Sequence, residues 1–144
     1  IPSATNQNDK DFVSVIVACR NEQDNIANII QKVKMQNFDK DRFELIAVND
    51  HSTDATLQIL EKEVSIWDKL KVVCLNEGEV GKKSALEKGI SFAKGDIILC
   101  TDADCSVGRN WIATIVNYFA DEKIKMVSAP VLFENKKGFF SIFF

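Results

Sequence analysis

A chain of 144 residues makes one domain, large enough to bury roughly two-thirds of its unfolded surface. It is 46% hydrophobic and 27% charged, an ordinary globular composition, and its net charge of -3 speaks against a nucleic-acid partner, which leaves a basic footprint. No apolar run approaches the ~18 residues of a membrane-spanning helix.

Residues 1–11 are polar and aperiodic, and read as a tail or linker. Phe12 to Cys19 is short, apolar and β-branched, the pattern of a buried strand. Ile26, Ile29, Ile30 and Val33 recur at i, i+3, i+4, i+7 and mark an amphipathic helix, with Asn21 as its cap. Phe43 to Val48 is the second strand. Leu57, Leu60, Val64 and Trp67 stripe the second helix, with Ser52 or Thr53 available to cap it. Lys71 to Leu75 is the third strand. Asn76 to Gly81 is a loop opening a helix from Lys82 to Ala93, whose expected core face is Leu86, Ile90 and Ala93. Asp96 to Thr101 is the fourth strand, and Ile112, Ile115, Val116 and Phe119 stripe the fourth helix, with Trp111 as a core or rim residue. Lys125 to Phe133 reads as a fifth strand, in which Pro130 suits an edge or a strand end.

This alternation predicts an α/β fold: a mainly parallel, Rossmann-like sheet with helices on both faces, spanning residues 12–133. Residues 134–144 hold Phe139, Phe140, Phe143 and Phe144, an apolar tail expected to need cover from a further half, a membrane or a second copy. Ile1 is not a translation start, so the chain is expected to be a piece of a longer one. Cys19, Cys74, Cys100 and Cys105 have no C-x-x-C spacing, and the chain has one histidine, which disfavours zinc. Cys19, Cys74 and Cys100 fall in or at the ends of strands, where buried reduced thiols act as small hydrophobes and fit a cytoplasmic setting.

The chemistry concentrates at strand ends. Asp102-Ala103-Asp104 follows the fourth strand and places two carboxylates at i and i+2, suited to sharing a hard divalent cation such as Mg2+ or Mn2+. Asp50 leaves the second strand in a similar loop, Asn49 to Asp54, and the first and fourth strands can be neighbours across a switch point, where ligands bind. The alternative for Asp102 and Asp104 is a polar turn capping the helix that begins near Arg109. His51 reads equally as an exposed turn residue and is assigned no catalytic role. Gly78 and Gly81 with Lys82, Lys83 and Ser84 lack the spacing and placement of a Walker loop, although lysines at a helix start attract phosphate.

Taken together these segments resemble a family 2 glycosyltransferase with its GT-A nucleotide-sugar-binding fold. Val13 to Glu22 resembles the opening strand and its Tyr-Asn-Glu turn; Glu44 to Asp54 resembles the second strand and its Asp-Asp-Gly-Ser-Thr-Asp loop. Asn76 to Gly89 resembles the Asn-x-Gly-x-x-Gly-Lys-x-x-Ala-Leu-Asn-x-Gly segment, and Gly95 to Cys105, followed by Trp111, the Asp-x-Asp strand. The resemblance implies a UDP-sugar donor held by Ala18, Arg20, Glu22, Asp50, Lys82, Asp102 and Ala103, with Asp50 on the uracil or ribose, Glu22 supporting the nucleoside pocket and Lys82 near the base or diphosphate. It further implies Mn2+ or Mg2+ on Asp102 and Asp104, Asp104 being the main protein ligand.

Arg20 replaces the family's stacking aromatic, Asn49 the first aspartate of its loop, His51 a glycine and Glu87 an asparagine, so donor identity stays open. The family's general base and its Gln-x-x-Arg-Trp motif lie downstream in an acceptor half, and nothing here matches either. An inverting transfer needs such a base, so this piece is expected to bind donor better than it turns it over. The acceptor, saccharide or lipid-linked, stays unspecified, as in cell-envelope polysaccharide synthesis on the cytoplasmic side of a membrane-attached parent. The rival readings are a non-catalytic nucleotide-sugar or partner-binding domain, and a haloacid-dehalogenase-type phosphatase using Asp102 to Ser106. The second places its nucleophile on the wrong strand and leaves Asp50 without a role.

Overall fold

The computed structural model describes residues 11–121, 123, 129–133 and 139–142. Strands β1 (Val13–Cys19), β2 (Phe43–Asn49), β3 (Leu70–Cys74) and β4 (Ile97–Asp102) form a parallel sheet in the order β3-β2-β1-β4. The chain therefore builds outward from β1 to β3, then returns to the other side of β1. That reversal is the switch point, and it opens beyond the carboxyl ends of β1 and β4, where Ala18 is in register with Asp102.

β1 and β2 each have a strand on both sides and are buried along nearly their whole length. Their alternate side chains supply two cores. Val13, Val15 and Val17 pack on one face with α1 (Ile26–Lys34), Leu60 of α2 (Thr56–Ile66) and α4 (Trp111–Tyr118). Ile16, Ile46 and Val48 pack on the other with Ala85 of α3 (Lys82–Phe92). Helices thus cover both faces, as the alternation predicts. α1 buries its whole expected stripe, Ile26, Ile29, Ile30 and Val33, and α4 buries Ile112, Ile115 and Val116 with Phe119 packed at the margin.

Several local expectations change. α3 presents Ala85 and Gly89 to the sheet, whereas Ile90 is exposed and Leu86 and Ala93 only line the margin. The reason is proximity: a Cβ on Gly89 would lie 2.6 Å from Ile16 Cγ2, so only a small-residue face fits this close. In α2, Val64 is exposed and Leu57 half-buried. β3 is an edge, so Lys71 and Cys74 face solvent, and Cys74 is not the buried thiol its strand position suggests. Cys19 and Cys105 are buried and Cys100 partly so. Neither Asn21 nor Ser52 nor Thr53 caps a helix; α1 and α2 begin after Asn25 and Ala55, without side-chain caps.

The expected fifth strand does not extend the parallel sheet. β6 (Ala129–Phe133) lies between β5 (Cys105–Ser106) and β7 (Phe139–Ile142) in a separate antiparallel sheet. Residues 125–128 of that expectation lie outside the described ones. Pro130 is tolerated inside β6 because β5 pairs only with Leu132 and Phe133, so at Pro130 only β7 lies alongside. Part of the expected apolar tail, 139–142, forms β7; residues 134–138, 143 and 144 lie outside the described ones. Gln36, buried between α1 and α4, donates from Nε2 to Gly108 O at 2.6 Å and accepts from Ile112 N–H at 3.0 Å. It anchors the segment that follows the Asp102–Asp104 turn.

Candidate functional site

The loops after β1 and β2 are stitched together by polar groups. Asn21 sits at a φ of 53°, a left-handed position that asparagine tolerates. Its Oδ1 accepts from Thr53 N–H at 2.7 Å and Asp54 N–H at 3.3 Å, and its own N–H donates to Ser52 Oγ at 3.0 Å. Glu22 N–H donates to Thr56 Oγ1 at 2.8 Å, while its carboxylate accepts from Asn25 Nδ2 at 2.9 Å. Asp54 in turn accepts from Thr56 and from Gln23 N–H. The Asn-Glu turn after β1 and the Ser-Thr-Asp segment after β2 therefore form one rigid wall.

Asp50 joins that wall to the glycine loop. Its N–H donates to Cys19 O at 2.9 Å, and its Oδ2 accepts from Gly81 N–H at 3.0 Å. Gly81, at a φ of 94°, turns the chain into α3. His51 Nε2 lies 2.7 Å from Glu79 O, so the sole histidine braces the same loop. Asn76 N–H and then Lys88 hold the Glu79 carboxyl below the usual carboxylate range. The remaining oxygen of Asp50, Oδ1, is buried and has no hydrogen-bond partner among the described residues. A carboxylate oxygen in that state is costly unless a donor reaches it.

Ala18, Arg20, Glu22, Asp50 and Lys82 line one cavity of about 230 Å³, together with Cys19 and Ala85. Both lie inside recognised segments, Cys19 in Val13 to Glu22 and Ala85 in Asn76 to Gly89, but a small thiol and a methyl carry no polar signal that would mark them as site residues. Burial, followed by the nearby Glu22 carboxylate, pushes the Cys19 thiol up to about 12, and its Sγ donates to Val48 O at 3.3 Å. It is a neutral floor for the cavity. Arg20 is exposed at the rim.

Lys82 crosses the mouth of the switch point and donates from Nζ to Asp102 Oδ1 at 2.6 Å. Asp102, Asp104 and Cys105 bring ligand atoms within 4.8 Å of one another, and both carboxylates are partly exposed. This oxygen-rich set fits a hard divalent cation that retains water or phosphate ligands. Ala103 does not line the cavity. Its methyl packs into the core beneath the turn, which turns the flanking aspartates outward and leaves only its backbone for a ligand.

No helix among the described residues is long and apolar enough to cross a membrane. The family model described as "Glycosyl transferase family 2" matches residues 14–141. A β-monoglucosyldiacylglycerol synthase of Nostoc sp. is 32% identical over 127 residues, which are 88% of this chain and 27% of that protein. Among solved structures, the mannosyltransferase PcManGT from Pyrobaculum calidifontis, in complex with GDP-Man and Mn2+, superposes with a TM-score of 0.77 at 30% identity, covering 83% of this chain and 35% of the other. TarS 1–349 of S. aureus in complex with UDP-GlcNAc gives a TM-score of 0.67 at 30% identity, covering 80% and 33%. The chain thus spans about a third or less of the length of these proteins. With the strand order, the loop motifs and the match over 14–141 in agreement, the chain belongs to glycosyl transferase family 2 and has its GT-A fold.

Proposed function

We propose that this chain is the donor-binding part of a metal-dependent, inverting glycosyltransferase that uses a nucleotide diphosphate sugar, with UDP as the nucleotide. The observation that carries this reading is Asp50: a buried carboxylate lining the cavity, with one oxygen held by Gly81 N–H and the other lacking a partner among the described residues. Such an oxygen suits a directed N–H or O–H of a nucleoside, the uracil imide or a ribose hydroxyl. Glu22 backs the same pocket, and the Arg20 guanidinium at the rim can stack on a base in place of an aromatic ring. Ala18, Lys82 and the backbone at Ala103 complete the donor contacts.

Asp104, with Asp102, would hold Mn2+ or Mg2+, which when bound supplies Lewis-acid neutralisation of charge on the diphosphate leaving group. The chain's own share is to bind and orient: Asp50 fixes the nucleoside, and Lys82 offers a cation to the phosphates. The base that takes the acceptor's proton is assigned to the part of the relatives' length that this chain does not cover. The diacylglycerol in the name of the Nostoc relative and the apolar stretch near residue 140 support a lipid-linked acceptor and a parent attached to the cytoplasmic face of a membrane. Residues 12–133 would be the donor unit, with 1–11 a polar tail or linker and 134–144 an apolar tail leading to an acceptor half.

Calorimetry with UDP tests this. Binding should require Mn2+ or Mg2+ for full affinity, and Asp104→Asn should abolish the metal-dependent increment while uridine binding is kept. Equal UDP affinity with metal and with chelator would remove the metal role. Parallel titration with GDP decides the nucleotide, since the solved neighbours hold GDP-Man in one case and UDP-GlcNAc in the other.

A further inference from the structure

Lys82 is the first residue of α3, and the residue before it is tethered through Gly81 N–H to Asp50. Its ammonium meets Asp102 Oδ1 at 2.6 Å, on the opposite side of the switch point, at one of the carboxylates grouped with Asp104 and Cys105. The pair is not a folding device: the side chains are 59% and 29% exposed, and pairs so open to water contribute little to stability. What it does is place a positive charge on the carboxylate a cation would use. We infer that Lys82 and a divalent cation exclude each other at Asp102, so that a diphosphate, by drawing Lys82 onto its own oxygens, opens the cation position and binds before the metal or together with it.

The reasons are charge and geometry. An ammonium already at hydrogen-bond distance from Oδ1 repels a doubly charged ion approaching the same oxygen. The lysine stem is long and exposed, so Nζ can swing without moving α3. A diphosphate brings several negative oxygens and is a better partner for Nζ than one carboxylate. Without a diphosphate the lysine stays on Asp102 and the cation is held weakly. The lysine thereby weakens metal loading by the nucleotide-free protein. This inference rests on the donor reading above for the identity of the diphosphate, but its central claim concerns Lys82, Asp102 and the metal alone.

The test is Mn2+ binding to the nucleotide-free chain, read by loss of the free-ion electron paramagnetic resonance signal. Lys82→Met, which keeps the apolar stem, should bind Mn2+ about fivefold more tightly than the parent, the scale of a lost competing ion pair. Lys83→Met is the control. It removes the same charge one residue away from a side chain 91% exposed and 4.0 Å from Glu87, and should change Mn2+ affinity much less. Thermal melting of each variant confirms that it is folded. Adding UDP should raise Mn2+ affinity in the parent and lower the advantage of Lys82→Met, because the nucleotide has already removed the lysine. Equal gains from Lys82→Met and Lys83→Met would overturn the inference, since general charge rather than displacement would then be at work. No gain from Lys82→Met, or no Mn2+ binding by either protein, would overturn it also. If UDP binds neither protein while the Mn2+ difference stands, the donor reading and the displacement by diphosphate fail, and the mutual exclusion of Lys82 and the cation at Asp102 stands.

Discussion

Replacing Asp50 with asparagine keeps the size of the side chain and changes its charge and one of its two polar atoms. In the parent, Oδ2 accepts from Gly81 N–H at 3.0 Å and the buried Oδ1 is unpartnered. The asparagine carbonyl can take over the Gly81 bond, which leaves an NH2 group where Oδ1 was. A ligand donor arriving there meets another donor. The loss is that of a hydrogen bond to a charged group, about 1.5–3 kcal/mol, or roughly 10- to 150-fold in affinity. Folding should respond in the opposite sense. A carboxylate 6% exposed with half its acceptors unused costs more to bury than a neutral amide, so the ligand-free variant should melt at the same temperature or higher. Calorimetry with uridine, which has no phosphate and so removes the metal from consideration, measures the first effect, and thermal unfolding without ligand measures the second. Unchanged uridine affinity would refute the role of Oδ1. A melting point several degrees lower would show that the carboxylate serves the fold rather than a ligand.

Gly89→Ala should destabilise the protein by up to about 2 kcal/mol, because overpacking costs about 1–3 kcal/mol against a gain of about 1 kcal/mol in helix propensity. The new methyl would lie 2.6 Å from Ile16 Cγ2 and 3.2 Å from Val48 Cγ2, both on buried strands; a urea midpoint at or above the parent's would show that α3 moves away freely. Cys19 makes the fold sensitive to alkali. Burial raises its thiol from 9.0 to about 12, so its contribution is fully present below pH 9.0 and is lost as pH rises through about 12. Cys19→Ala should flatten the fall in stability across that window, and an unchanged slope would mean that the thiol titrates as if exposed. Cys100, pushed to about 11 mainly by burial, adds a fall of the same sign over a narrower window, from pH 9.0 to about 11.

The four strands of the parallel sheet, the amphipathic helices α1 and α4 and the acid-bearing loops at Asp50 and Asp102 are legible in the sequence, because local hydrophobic pattern and short motifs are enough to specify them. The alternation allows β1 to pair with β4 without requiring it; the tertiary structure makes that pairing, and it brings the loops together. Other features depend on contacts between residues far apart in the chain. Asn21 has the look of a cap, yet it spends its side chain on Thr53 and Asp54, because at the site two loops compete for the same polar groups. α3 buries Ala85 and Gly89 rather than its larger Leu86 and Ile90, since periodicity registers apolar bulk and not how near a sheet lies. β6 takes its place in an antiparallel sheet through a two-residue partner, β5, too short for any strand pattern to reveal. The bond from Lys82 to Asp102 and the unused oxygen of Asp50 are likewise products of tertiary placement: residue type says what a group can bind, and only its neighbours decide which of its atoms are already taken.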